Sequence, residues 1–258
     1  MIIYGYGCSW TEGEGCDISV ENEITDRTLK KEFRNSNSWL KFLSDKLNLE
    51  SVNKSFSGNA NNKIFNDIVL DIKNGVVKKG DFVIVMWSSS LRDYVPFLPK
   101  GEWVSWSVKH LIETPEKFIE SYKSEDIKYD EFLKRYKDTF VLSMFNQNYY
   151  NIVNQNYIIF LQSMFKEYDI NYLMCDSFES TIIDLEPSDD VRFLIDDKPY
   201  WRFNKTTFRD FLNNTNRLDI WEHQDANFKT RATQHPNKEG YKLISEELYN
   251  YIVDNNLI

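Results

Sequence analysis

Two residue types that together perform acyl transfer stand at opposite ends of this 258-residue chain: Ser9 near the start and His235 near the finish. A serine hydroxyl is a weak nucleophile until a neighbouring base takes its proton, and histidine is the usual base because it titrates near neutrality. The chain has three histidines, His110, His223 and His235. His235 directly precedes Pro236, a residue suited to a first helical turn. The positive end of that helix would disfavour an imidazolium and keep the base neutral. Acyl transfer also needs donors for the oxyanion, typically backbone N–H groups and side-chain amides. Gly58, which allows close backbone approach, and Asn61, at the start of a helical pattern, are suitable types, beside the N–H of Ser9 itself. Asp176, Glu222 and Asp225 are the candidates to reach and orient the imidazole from other segments, with a backbone carbonyl in a Ser–His dyad as the alternative.

These residues need a frame that brings their segments to one edge. Short apolar runs ending at turn signals alternate with helical patterns, which predicts βαβ units, a parallel sheet and an α/β fold. Strands are expected at Ile2–Gly7, near Ser51–Lys54, at Phe82–Trp87 and at Ile170–Met174. Helices are expected at Ser38–Leu47, about Asn61–Lys73, within about Glu131–Tyr168, and after Pro236, where Tyr241, Ile244, Leu248, Tyr251 and Ile252 form one apolar stripe. Residues from about 88 to 130 and from about 179 to 227 read as irregular, aromatic-rich insertions in a single domain spanning 1–258. Ligands of an open parallel sheet bind beyond the carboxyl ends of its strands. Gly7–Trp10, Ser55–Asn61, Trp87–Arg92 and Cys175–Ser177 leave the strands at that edge, and Thr233–Asn237 precedes the last helix.

At these segments the chain resembles the SGNH, or GDSL-like, hydrolases. Gly7-Cys8-Ser9-Trp10 is similar to that family's first block, usually Gly-Asp-Ser. The stretch from Ser55 through Gly58 and Asn61 to Ile64 is similar to the second block, in the Gly-x-Ser-Asn-Asp-Arg-Ile form seen in some bacterial and phage members. His235-Pro236-Asn237 with Gly240 resembles the last block, and the blocks fall in the right order. The resemblance implies a three-layer α/β/α sandwich, flavodoxin-like, with a mostly parallel sheet of about five strands. It also implies a serine esterase working through an acyl-enzyme on Ser9, with His235 as base and the N–H groups of Ser9 and Gly58, with Asn61, as the oxyanion hole. O-acetyl groups on carbohydrates are among the family's substrates. Two positions depart from the pattern. Trp87-Ser88-Ser89-Ser90 stands where Gly-x-Asn-Asp is usual, which leaves Ser89 or Arg92 as substitute donors or substrate contacts. The aspartate three residues before the histidine is replaced by Ala232.

Each of these residues has an ordinary reading as well. Ser9 could cap a turn, Asn61 a helix, Arg92 could serve a surface ion pair, and Cys8 reads as a small buried residue. An SGNH-fold binding module without activity and an O-acyltransferase using the same Ser–His pair are the alternatives to the esterase. Net charge is −9 and pI about 5.0, so nucleic acid is a poor expected partner. The apolar runs are too short for a membrane span and the amino terminus lacks the pattern of a signal peptide, so a cytoplasmic protein is expected. Cys8, Cys16 and Cys175 are odd in number and lack metal-ligand spacing, and His223 has no second histidine at ligand distance. Neither metal nor cofactor is expected, and a small-molecule or carbohydrate ester is the expected partner.

Overall fold

The computed structural model describes residues 1–97, 102–107, 131, 134–135, 138–139, 146–178, 180, 191–202, 206–222 and 235–258. In chain order the elements are β1 (Ile2–Tyr6), α1 (Ser9–Glu12), α2 (Ile18–Glu23), α3 (Arg27–Ser36), α4 (Trp39–Leu47), β2 (Glu50–Asn53) and α5 (Asn61–Lys73). They continue with β3 (Phe82–Trp87), β4 (Arg92–Phe97), β5 (Glu102–Ser107), α6 (Gln147–Glu167), β6 (Asn171–Asp176), α7 (Phe208–Asn214) and α8 (Lys238–Asp254).

Four strands form one parallel sheet in the order β2-β1-β3-β6. Alternation along these strands sorts side chains between two helical layers. Ile3, Phe82, Ile84, Met86, Leu173 and Cys175 face Trp39, Leu40 and Leu43 of α4 and the Tyr241, Ile244, Leu248 and Ile252 stripe of α8. Tyr4, Tyr6, Val83, Val85, Tyr172 and Met174 face Ile64, Ile68 and Ile72 of α5 and Ile158, Leu161 and Phe165 of α6. All six residues of β3 are buried, which is why its sequence is an unbroken apolar run. The fold is thus an α/β/α sandwich.

The place of a fifth strand beside β6 is held by a single parallel bridge, Met174 with Tyr200. Two main-chain bonds make it, from Met174 N–H to the Pro199 carbonyl and from Trp201 N–H to the Met174 carbonyl, both 2.8 Å. The chain then turns inward, because Trp201 is fully buried and stacks on Phe208 of α7 at 3.9 Å between centroids and 7° between planes. Part of the expected insertion at about 179–227 therefore contributes to the core. Part of the one at about 88–130 is regular as well: β4 and β5 pair antiparallel, Arg92 opposite Ser107 and Phe97 opposite Glu102. Tyr, Val, Phe and Trp in those segments are strand formers, so an ordered hairpin replaces the irregular loop expected there. Of the helix expected from Glu131, residues 131, 134–135 and 138–139 are helical; the rest of both insertions, the other residues from 132 to 145, and His110, His223, Asp225 and Ala232 lie outside the described residues.

The chain leaves β1 towards β2 on one side and returns to β3 on the other, so the direction of winding switches between β1 and β3. At such a switch the connections diverge and open a crevice beyond the strands' carboxyl ends. Gly7–Ser9 and Ser88–Ser90 begin there. Among the described residues no helix is long and apolar enough to cross a membrane.

The stacked Trp201–Phe208 pair generates a stability expectation. Phe208→Ala removes a fully buried ring, and urea denaturation of the variant is expected to show a loss of about 3–5 kcal/mol.

Candidate active site

Ser9 is the first residue of α1, so its N–H has no carbonyl one turn back within that helix to bond. The residue is 6% exposed. Its neighbour Trp10 is buried against Trp221 at 6.3 Å and Phe178 at 6.1 Å between centroids. Trp221 in turn precedes Glu222 and forms an isolated antiparallel bridge with Pro236. Glu222 N–H donates to the His235 carbonyl at 3.1 Å, and Asn237 N–H to the Ile220 carbonyl at 2.9 Å. The Asn237 amide donates to the carbonyls of Asp219, at 2.7 Å, and Trp221, at 3.1 Å, while its oxygen caps α8 through the N–H groups of Glu239 and Gly240. Pro236 therefore lies before the cap, outside the first turn of α8, where it was expected. Its bridge to Trp221 holds it in extended backbone.

This packing brings His235 Nε2 to 2.9 Å from Ser9 Oγ. The other ring nitrogen, Nδ1, faces Glu222 Oε2 at 3.6 Å. With the serine hydroxyl donating to Nε2, the ring proton resides on Nδ1, towards that carboxylate. Gly15, at φ +84°, lies under the pair: a Cβ there would come within 2.7 Å of His235 Cβ and 2.8 Å of Glu222 Oε2.

A second carboxylate, Glu14 Oε2, lies 3.8 Å from His235 Nε2. It belongs to a half-buried cluster that the sequence did not single out. Arg34 of α3 reaches Glu12 at 3.5 Å, Glu14 at 3.5 Å and Glu21 at 2.8 Å. Burial works against the Arg34 charge, but Glu14, Glu21 and Glu12 outweigh it and hold the guanidinium above its ordinary range. Glu12 also accepts from the Ser57 N–H, and Glu14 from the Ser57 hydroxyl. The same arginine thus ties the segment after Ser9 to the loop that carries Gly58. A motif search misses it because the carboxylates and the cation come from separate turns.

The Gly58 loop is fastened to the end of β1 by Phe56 N–H, at 3.4 Å, and the Asn59 amide, at 3.1 Å, both donating to the Gly7 carbonyl. Gly58 has φ +88°, and a Cβ there would meet nothing within 4 Å, so the glycine serves the backbone turn and leaves open space above it. Asn61 is the first residue of α5, with Ala60 at the cap position, so it is not the N-cap its type suggests. Its amide donates to Asn154 at 2.8 Å and to the carbonyls of Ser88, at 3.3 Å, and Ser89, at 3.4 Å, and it accepts from the Ser88 N–H at 2.8 Å. Asn61 thereby joins α5, α6 and the turn after β3. The Ser89 hydroxyl accepts from the Leu91 N–H at 3.2 Å. Arg92 Nη1 donates to Ser88 Oγ at 3.1 Å and to the Asn59 carbonyl at 3.5 Å, and its guanidinium lies 5.5 Å over the Phe178 ring. Asp176 lies on the same face of β6 as Met174, away from the α8 layer, and accepts from the Tyr200 hydroxyl at 2.9 Å.

Fold and site together define a three-layer α/β protein with a Ser–His–Glu constellation at the carboxyl edge of its parallel sheet. No protein-family model and no curated protein matches the sequence. Among solved structures the chain is similar to LAE5, an alpha/beta hydrolase enzyme from the metagenome of Lake Arreo, at 10% identity and TM-score 0.48, over 99% of this chain and 95% of that one. It is similar to the psychrotrophic esterase EstA from Pseudoalteromonas sp., at 11% identity and TM-score 0.44, over 98% and 97% of the two chains. A lipolytic protein of the G-D-S-L family from Desulfitobacterium hafniense matches at 13% identity and TM-score 0.40, over 97% and 98%.

Two expectations follow from the packing beneath the histidine. Gly15→Ala combines a strained positive φ with a clash against His235 and Glu222, and is expected to cost about 1–3 kcal/mol in urea denaturation. Burial, then the adjacent Glu21 carboxylate, pushes the Cys16 thiol from 9.0 up to about 12. The unfolded chain loses that proton first, so stability is retained below pH 9 and declines as pH rises from about 9 towards 12, at up to about 1.4 kcal/mol per pH unit. Denaturation series at pH 8 to 10.5 on the parent and on Cys16→Ser are expected to show the steeper decline in the parent.

Proposed function

We propose that this chain is a serine esterase of the SGNH type, acting through an acyl-enzyme on Ser9. The observation that carries the reading is the 2.9 Å approach of Ser9 Oγ to His235 Nε2, with Glu222 on the ring's far nitrogen. His235 takes the serine proton as Oγ attacks the ester carbonyl carbon. Glu222 holds the tautomer with Nδ1 protonated and stabilises the imidazolium that forms. It supplies, from the segment bridged to His235–Pro236, the carboxylate that the replaced position 232 lacks. The tetrahedral oxyanion lies between the N–H groups of Ser9 and Gly58, and Asn61 acts one step behind them by fixing the turn after β3. Arg92, between Phe178 and the Asn59 carbonyl, contacts the substrate at the rim. The imidazolium then passes its proton to the leaving alcohol, and water, activated by the same nitrogen, releases the acid.

A nucleophile only 6% exposed, next in sequence to the buried Trp10, accommodates a small acyl group, and acetyl is our choice. Glu14, within 3.8 Å of the nitrogen that protonates the leaving oxygen, suits an alcohol bearing a further hydroxyl, which favours an O-acetylated carbohydrate.

A fluorophosphonate probe is expected to label the peptide containing Ser9, as read by mass spectrometry, and Ser9→Ala is expected to abolish labelling. Ser9→Ala and His235→Ala are each expected to lower kcat on 4-nitrophenyl acetate by at least about 1000-fold, and Glu222→Gln by about 10- to 1000-fold. A parent protein that neither labels nor turns over acetyl esters would sink the esterase reading.

A further inference from the structure

A cavity of about 420 Å³ is lined by the loop that carries Gly58, inside the range of about 300–1,000 Å³ common for small-molecule sites. Loop residues 55–59 form one wall, and Lys31 of α3, Lys54 and Lys63 of α5 converge on it with Asp67 and Tyr94. All three lysines are half-buried, on a chain whose net charge is −9. Two of their ammonium groups lie over aromatic faces, Lys31 at 5.6 Å from the Phe56 centroid and Lys63 at 5.7 Å from Tyr94. Phe56 is 60% exposed, so its ring face is open to a ligand in the cavity that it lines. Nothing in the catalytic machinery described above uses these groups.

We infer that this cavity is a subsite for the carboxylate-bearing ring of an acidic saccharide. Lys54 is matched by Asp71 at 3.1 Å and Lys63 by Asp67, so three cations face two carboxylates and one positive charge is left for a ligand. A singly charged carboxylate balances that remainder, whereas a phosphate dianion would overshoot it. The faces of Phe56 and Tyr94 offer apolar area to the C–H side of a sugar ring while the ammonium groups take its acid. In an otherwise acidic protein a local positive cleft is what lets an anionic substrate approach. Gly58 lines the cavity, so the loop proposed to hold the oxyanion also forms a wall of the saccharide site.

The inference rests on the esterase reading for the purpose of the bound sugar, but its test does not. Calorimetry on the full-length Ser9→Ala protein, with trigalacturonate, maltotriose and inorganic phosphate as separate probes, separates the cases. Trigalacturonate is expected to bind while maltotriose at equal concentration does not, and binding is expected to weaken as salt shortens the reach of the charges. Lys31→Ala and Lys63→Ala, checked for native folding by circular dichroism, are each expected to weaken it about 5- to 10-fold. Equal binding of the neutral trisaccharide, no binding at millimolar concentration, phosphate binding as tightly as the acidic sugar, or lysine variants that bind like the parent would each overturn the subsite. Binding by a protein whose parent shows no esterase activity would keep the subsite and remove the esterase. Esterase activity without acidic binding would do the reverse.

Discussion

The site depends on one short piece of pairing, the antiparallel bridge between Trp221 and Pro236. It does two things at once. By pairing the backbones of Glu222 and His235 it gives the imidazole its carboxylate, and by burying Trp221 against Trp10 it docks that pair on the residue next to Ser9. Ser9 and His235 are 226 positions apart, but the conformational cost of closing so long a loop grows only slowly with length and is met mostly by the sheet and α8. What the bridge adds is accuracy. Lys238 N–H on the Cys16 carbonyl, at 2.9 Å, and the Tyr241 hydroxyl on the Glu14 carbonyl, at 2.6 Å, lock α8 to the segment after the nucleophile from the opposite side.

Electrostatics behind the nucleophile are organised around Arg34. Three glutamates from residues 12–21 would repel one another in a half-buried space, and a single guanidinium in contact with all three lets them coexist. Because Glu12 and Glu14 also take the Ser57 N–H and hydroxyl, the ion cluster positions the Gly58 loop as well as stabilising itself. A planar five-donor fork suits this role in a way an ammonium would not.

The two sides of that loop carry opposite character. Ser57 gives its N–H and hydroxyl to Glu12 and Glu14, while Lys31, Lys54 and Lys63 with Phe56 and Tyr94 line the cavity that the same loop borders.

The sequence alone determined the α/β alternation, the buried strand Phe82–Trp87, the helix Asn61–Lys73 and the types and order of Ser9, Gly58 and His235, because periodicity and flanking turn residues are local properties of the chain. Glu222 was legible only as one of three candidates, and Asn61 and Pro236 only as residue types. Which carboxylate faces His235, that Asn61 spends its amide on the turn after β3, that a tryptophan from the second insertion closes the core, and that Arg34 gathers Glu12, Glu14 and Glu21 were decided by tertiary structure. Those relations join segments far apart in the chain, and their energy comes from burial and pairing that exist only once the layers have packed.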